Sequence, residues 1–138
     1  MGLFARFLQD RVGESGRVVA VEGDRRASRL SITNAPGIEA TAGDVGEVLA
    51  ASYDGAFDLV VLDPPREGAK RTVVEQVVAR TPRAVAYVAC DPAALARDVA
   101  IFAEHGYALV SLRAFDVFPM THHVECVALL TKPSSDLR

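Results

Sequence analysis

With 138 residues the chain suits one domain with its own core, and a composition half hydrophobic and 24% charged excludes disorder. The longest apolar runs, residues 59–62 and 84–89, cannot span a bilayer, and Arg6, Asp10 and Arg11 break up the N-terminal stretch that a signal peptide would need, so the expected location is the cytoplasm. A formal charge of −3 argues against a protein that grips RNA mainly through its own basic surface, and the two cysteines, Cys90 and Cys126, are too few for a disulfide framework or a zinc site.

Leu3, Phe4, Phe7 and Leu8 have helical spacing, so the chain opens inside an amphipathic helix that Gly13 and Gly16 break. Residues 17–21 form a β-branched run and predict a buried strand. A helix follows from Asp24 to about Ala35 and ends at Pro36-Gly37. Its arginines, Arg25, Arg26 and Arg29, cluster as on a solvated helix face. Next come a short strand over 38–41, a weak helix over 43–52, and a strand over 57–62 that Asp63-Pro64-Pro65 ends. Val73, Val74, Val77 and Val78 mark one face of another helix, and residues 84–89 give a further strand. Asp91-Pro92 reads as an N-cap with proline at the first helical position; Leu95, Val99 and Phe102 supply that helix's buried stripe, and Gly106 stops it. Strands over 107–112 and 124–130 have no helix between them and should pair antiparallel at a sheet edge. Strands alternating with helices indicate an α/β fold with a mostly parallel sheet. The succession resembles the Rossmann-like methyltransferase fold, in which the last strand inserts antiparallel to the others.

Methyltransferases of that class begin with a central strand and a glycine-rich turn ahead of the first helix. Here Gly2 stands where the turn's last glycine would be, and no strand precedes it. A fragment of a longer chain, a strand supplied by a partner, and a rearranged fold would each account for this; the fragment is the expected case, with a homo-oligomer as one way to cover an unpaired edge.

Three blocks carry chemistry. Asp63-Pro64-Pro65-Arg66-Glu67-Gly68 follows a strand, where ligands of open α/β sheets bind, and its prolines stiffen the loop. Related motifs in amino-methylating enzymes place an aromatic residue after the prolines; Arg66 takes that place here and argues against amino methylation. Cys90 lies where a strand yields to a helix N-terminus, which favours a thiolate, while Asp91 opposes it; a buried structural cysteine is the plainer alternative. Glu125 lies between Val124 and Cys126 in an apolar strand, so partial desolvation should raise its pKa and suit it to proton transfer; pairing with Arg97 or Arg113 is the alternative. The adjacent His122 and His123 would point to opposite faces of a strand, so no metal site is expected.

In order and spacing these blocks resemble the S-adenosylmethionine-dependent RNA (uracil-5-)-methyltransferases of tRNA and rRNA, across nearly the whole chain. The family pattern has Asp-Pro-Pro-Arg-x-Gly, then Ser-Cys-(Asn/Asp)-Pro-x-Thr-Leu-Ala-Arg-Asp, then Phe-Pro-x-Thr-x-His-(Val/Leu)-Glu. This chain has Ala89 and Ala94 in place of the usual Ser and Thr. The resemblance implies that Cys90 is the nucleophile and Glu125 the base. It further implies that Glu22 holds the cofactor ribose, that Asp44 lies near the adenine, that Gly2 belongs to the cofactor turn, and that Asp63 lies beside the donor methyl and the base pocket. The partner it implies is an RNA, held largely by N-terminal regions of family members not present here, so weak or absent activity is expected of the chain alone. Two readings stay open beside it: a Rossmann-like methyltransferase of protein or DNA, and a non-catalytic nucleotide-binding or dimerisation module.

Overall fold

A computed structural model describes residues 2–121 and 123–133, and the chain divides into two compact units, Met1–Asp54 and Gly55–Arg138. Among the described residues no helix is long and apolar enough to cross a membrane.

The first unit runs α1 (Leu3–Val12), β1 (Val19–Glu22), α2 (Arg25–Asn34), β2 (Glu39–Ala42) and α3 (Val45–Ser52). β1 and β2 pair in parallel, Val19 opposite Glu39 through Glu22 opposite Ala42. The core of this unit is Ala5, Val18, Ala35 and Ile38, with Leu8, Ala20 and Ala40 packed on it. α1 is the helix expected, but Leu3 and Phe7 are 64% and 63% exposed, and it is Ala5 that is buried. Periodicity identifies which residues share a face, but not which face meets a neighbour. α2 buries only small residues, Ala27, Ser28 and Ser31. That lets backbones come close: Gly2, the N-cap of α1 at φ 76°, leaves just 2.9 Å between an added Cβ and the Cα of Ser31.

The second unit contains β3 (Leu59–Leu62), α4 (Lys70–Ala79), β4 (Ala84–Ala89), α5 (Pro92–Glu104), β5 (Ala108–Phe115) and β6 (Glu125–Thr131). The sheet order is β3-β4-β6-β5, with β3 parallel to β4 and β6 antiparallel to both of its neighbours. The final strand therefore inserts between β4 and β5, as expected. Of the last two strands, expected as a pair at the sheet edge, only β5 lies at an edge, and all of its residues are exposed. On one face Val85, Tyr87 and Ala89 of β4 and Cys126, Ala128 and Leu130 of β6 are buried, with Leu95, Ile101 and Phe102 of α5 contributing to the same core. The apolar alternation in β4 and β6 fixes this register, because a slip of one residue would expose every one of these side chains.

Candidate active site

The carboxyl ends of β3 and β4 and the amino end of β6 meet at one edge of the second unit's sheet. Leu62 pairs with Tyr87, and Ala89 with Cys126; all four are buried. Asp63 and Cys90 directly follow β3 and β4, and Glu125, which opens β6, points to the face opposite Cys126 because strand side chains alternate. The antiparallel ladder ends at Ala89 opposite Cys126, so Cys90, the residue after β4, and Glu125, the first residue of β6, each adjoin that last pair. Cys90 is a free, half-buried thiol, Glu125 is half-buried, and Asp63 is exposed. Neither arginine considered for Glu125 pairs with it: Arg97 bonds to Asp98 and the Glu67 carbonyl, and Arg113 lies over the Phe115 ring. Cys126 is a core residue.

The loop after Asp63 is latched to α5 by a residue whose role the sequence reading missed. Asp98 has no exposed surface. Its Oδ2 accepts from Ala69 N at 2.7 Å, from Lys70 N at 3.2 Å and from Tyr87 Oη at 2.6 Å. Its Oδ1 accepts from Arg97 Nε at 3.0 Å and from Arg97 Nη2 at 2.8 Å, and that Nη2 also donates to Glu67 O at 2.7 Å. Burial, then the bond to Asp98, holds the Tyr87 phenol well above its ordinary pKa, so it stays a donor. A signal was present: Asp98 falls at i+3 from Leu95 and i−4 from Phe102, inside the apolar stripe, where an unpaired carboxylate would be very costly. Val99, expected in that stripe, is half-buried, and Ile101 is buried.

Gly68 closes this latch. It sits at φ +80°, and an added Cβ would lie 2.6 Å from both Arg97 Nη2 and Asp98 Oδ2. Gly68→Ala is therefore expected to destabilise the chain by more than about 1 kcal/mol, through the unfavourable φ and displacement of the latch. Urea denaturation checks this; a variant as stable as the parent contradicts the geometry.

At the amino end of α5, Asp91 is the expected N-cap and accepts from Ala94 N at 2.8 Å, with Pro92 in the first turn. Next to it is a shallow depression of about 480 Å³ lined by Arg66, Glu67, Asp91, Ala93, Ala94 and Arg97.

The other expected ligand residues lie in the first unit. Glu22 ends β1; its Oε1 accepts only a long 3.4 Å bond from Asp24 N, which leaves it capacity to bond a diol. Asp24, not Glu22, caps α2, accepting from Ala27 N. Asp44, just past β2, caps α3 by accepting from Glu47 N at 3.0 Å, leaving its second oxygen. These acceptors at the carboxyl ends of two paired parallel strands fit ribose hydroxyls and an amino-bearing base. Gly2's left-handed conformation fits the end of a tight turn. His122 lies outside the described residues, and among those described no three His, Cys, Asp or Glu side chains are grouped to hold a metal ion.

The tRNA (uracil-5-)-methyltransferase family model matches residues 46–133. A relative described as an uncharacterized RNA methyltransferase of Streptomyces avermitilis is 48% identical over 99% of this chain and 32% of its own length. A similarly described protein of Bifidobacterium longum is 44% identical over 95% of this chain and 32% of its own. The chain thus spans about a third of the length of these relatives. Among solved structures, the tRNA (uracil-54, C5)-methyltransferase of Pyrococcus abyssi, in complex with S-adenosyl-L-homocysteine, superposes with a TM-score of 0.72 at 30% identity, covering 93% of this chain and 31% of that one. The N-methyltransferase NodS of Bradyrhizobium japonicum, also with S-adenosyl-L-homocysteine, gives a TM-score of 0.71 over 96% of this chain and 73% of its own, and at 17% identity shows the fold alone.

Proposed function

The chain belongs to the tRNA (uracil-5-)-methyltransferase family, with the Rossmann-like methyltransferase fold, and from that premise we propose that it forms the catalytic part of an enzyme that methylates carbon 5 of a uridine in tRNA or rRNA. The observation that carries the proposal is the β4–β6 register, which supports Cys90 and Glu125 acting on one pyrimidine from a shared face.

Carbon 5 of uracil is too weak a nucleophile to take a methyl group unaided. The Cys90 thiolate adds to carbon 6, and the ring's π electrons move into an enolate that makes carbon 5 electron-rich. S-adenosylmethionine, when bound, supplies an electrophilic methyl group that carbon 5 takes up. Glu125 then removes the carbon 5 proton, the carbon 6–sulfur bond breaks, and the thiolate returns to Cys90. The uridine must be presented unstacked, since carbon 6 is attacked from the face of the ring. Glu22 and Asp44 are assigned to the ribose and adenine of the cofactor, Gly2 to its turn, and Asp63 to the edge of the base pocket.

Titration with S-adenosylhomocysteine tests the cofactor half: binding is expected, with Glu22→Ala weakening it about tenfold or more, the loss of a hydrogen-bonded acceptor for a diol. Transfer of labelled methyl to undermodified tRNA and rRNA, with digestion to nucleosides, tests the rest. The label is expected on carbon 5 of uridine even where the yield is low; a methyl group on nitrogen or ribose oxygen sinks the assignment.

A further inference from the structure

α2 carries its charge against its own stability. Arg25 and Arg26 occupy its first turn, where the positive end of the helix dipole disfavours cations, and the only acid at that end is the capping Asp24, whose side chain is committed to Ala27 N. Arg29 falls at i+4 from Arg25 and i+3 from Arg26, so the three guanidiniums share one exposed face and repel each other. That face lies opposite the one holding Ala27, Ser28 and Ser31. Among the described residues none of the three guanidiniums has an ion-pair or hydrogen-bond partner, which is also true of the scattered Arg11, Arg66 and Arg83, whereas Arg6, Arg17, Arg71 and Arg97 each meet a carboxylate. In a chain of net charge −3, with acids to spare, an unneutralised cluster at the wrong end of a helix calls for an external anion.

We infer that the outer face of α2 is an RNA-binding surface on which Arg25, Arg26 and Arg29 contact consecutive phosphates of the substrate strand. A merely solvated face would not need three cations in the first two turns, at the end of the helix that disfavours them. The cofactor is not the anion, because S-adenosylmethionine has no phosphate and one carboxylate, which cannot meet three guanidiniums. Polyanionic backbone can, and side chains three and four residues apart on a helix stand about 5–6 Å apart at Cβ, close enough for successive phosphates. The inference rests on the reading of the chain as part of an RNA-modifying enzyme, which brings such a strand to it.

Fluorescence anisotropy with a labelled single-stranded, uridine-containing RNA tests this across a range of salt concentrations. The comparison is between the full chain and its Arg25→Gln/Arg26→Gln/Arg29→Gln variant. Expected are a loss of at least about tenfold in affinity at low salt and a log–log salt slope shallower by about 2, at roughly 0.7 per phosphate contact for a single strand. The melting temperature should hold or rise, because the replaced charges oppose the helix. Arg→Lys at all three positions should keep most of the slope. Affinity and slope unchanged in the glutamine variant, or a parent chain that does not bind the RNA, overturns the inference. So does poly-glutamate that competes as well as RNA of equal charge, which would assign the face to an acidic protein. Should uridine methylation proceed while the glutamine variant binds RNA normally, only this surface is lost; should binding depend on the arginines with no methyl reaching carbon 5, the surface stands and the enzymatic reading falls.

Discussion

Cys90→Ala is expected to abolish methyl transfer, lowering the rate by roughly 10⁴-fold or more, as removal of a covalent nucleophile does elsewhere. Without the thiolate, carbon 5 is never activated, so the loss belongs to chemistry and not to binding. Affinity for S-adenosylhomocysteine should be unchanged, since the residues assigned to the cofactor lie elsewhere. Glu125→Gln separates the two halves of the reaction. An amide cannot take the carbon 5 proton, so turnover should fall by about 10²–10⁴-fold. Addition and methyl transfer precede that proton, so a methylated protein–RNA adduct should accumulate. It is seen as a band that survives denaturing electrophoresis, with the chain in excess over RNA. Cys90→Ala should show no such band. A Cys90→Ala variant that methylates uridine at the parental rate removes the covalent mechanism and favours a methyltransferase that needs no thiol. Loss of the adduct in Glu125→Gln would assign Glu125 to an earlier step.

Asp98→Ala should produce the largest stability loss outside the apolar core, about 3 kcal/mol, because the burial of the carboxylate's partners is retained while their acceptor is removed. The Tyr87 hydroxyl, Lys70 N and the Arg97 guanidinium all lose a bond at once, while Ala69 N keeps its 3.0 Å bond to Tyr87 Oη. In a chain of this size that is a fall in melting temperature of roughly 10 °C. Asp98→Asn is a sharper probe. Both carboxylate oxygens face only donors, so the amide nitrogen confronts an N–H or O–H whichever way it turns. It should lie between Asp98→Ala and Tyr87→Phe, which forfeits a single hydroxyl and about 1 kcal/mol. Since Tyr87 and Asp98 share one network, the double variant should lose less than the sum of the two. Chemical denaturation reads all four. An Asp98→Ala chain within about 0.5 kcal/mol of its parent, the scatter of ordinary surface substitutions, would show that the latch is not formed.

Much of the second unit was legible because its signals are local. β4 reads as Ala84–Ala89 in both sequence and structure, since its apolar alternation ends at a capping aspartate and a proline. The pairing of the last two strands followed from the absence of a helix between them. The insertion of β6 between β4 and β5 came by resemblance, not from spacing, because strand order is a long-range property that no local pattern encodes. The apolar stripe of α1 misled for a related reason: helical spacing groups Leu3, Phe4 and Phe7 but does not say what they meet.

The amino-acid order by itself determined the chemical inventory of this protein: a thiol at a strand end, a carboxylate in an apolar strand, and a stiff acidic loop. Residue types and their spacing are covalent facts, and together they suffice to recognise a family. Only the tertiary structure decided which strand ends meet. Ala89 and Cys126, the residues next to Cys90 and Glu125, are far apart along the chain and pair solely through an antiparallel register. It also decided that Asp98 is a buried hub, because a carboxylate becomes one only when folding surrounds it with donors and removes the water that would otherwise satisfy it.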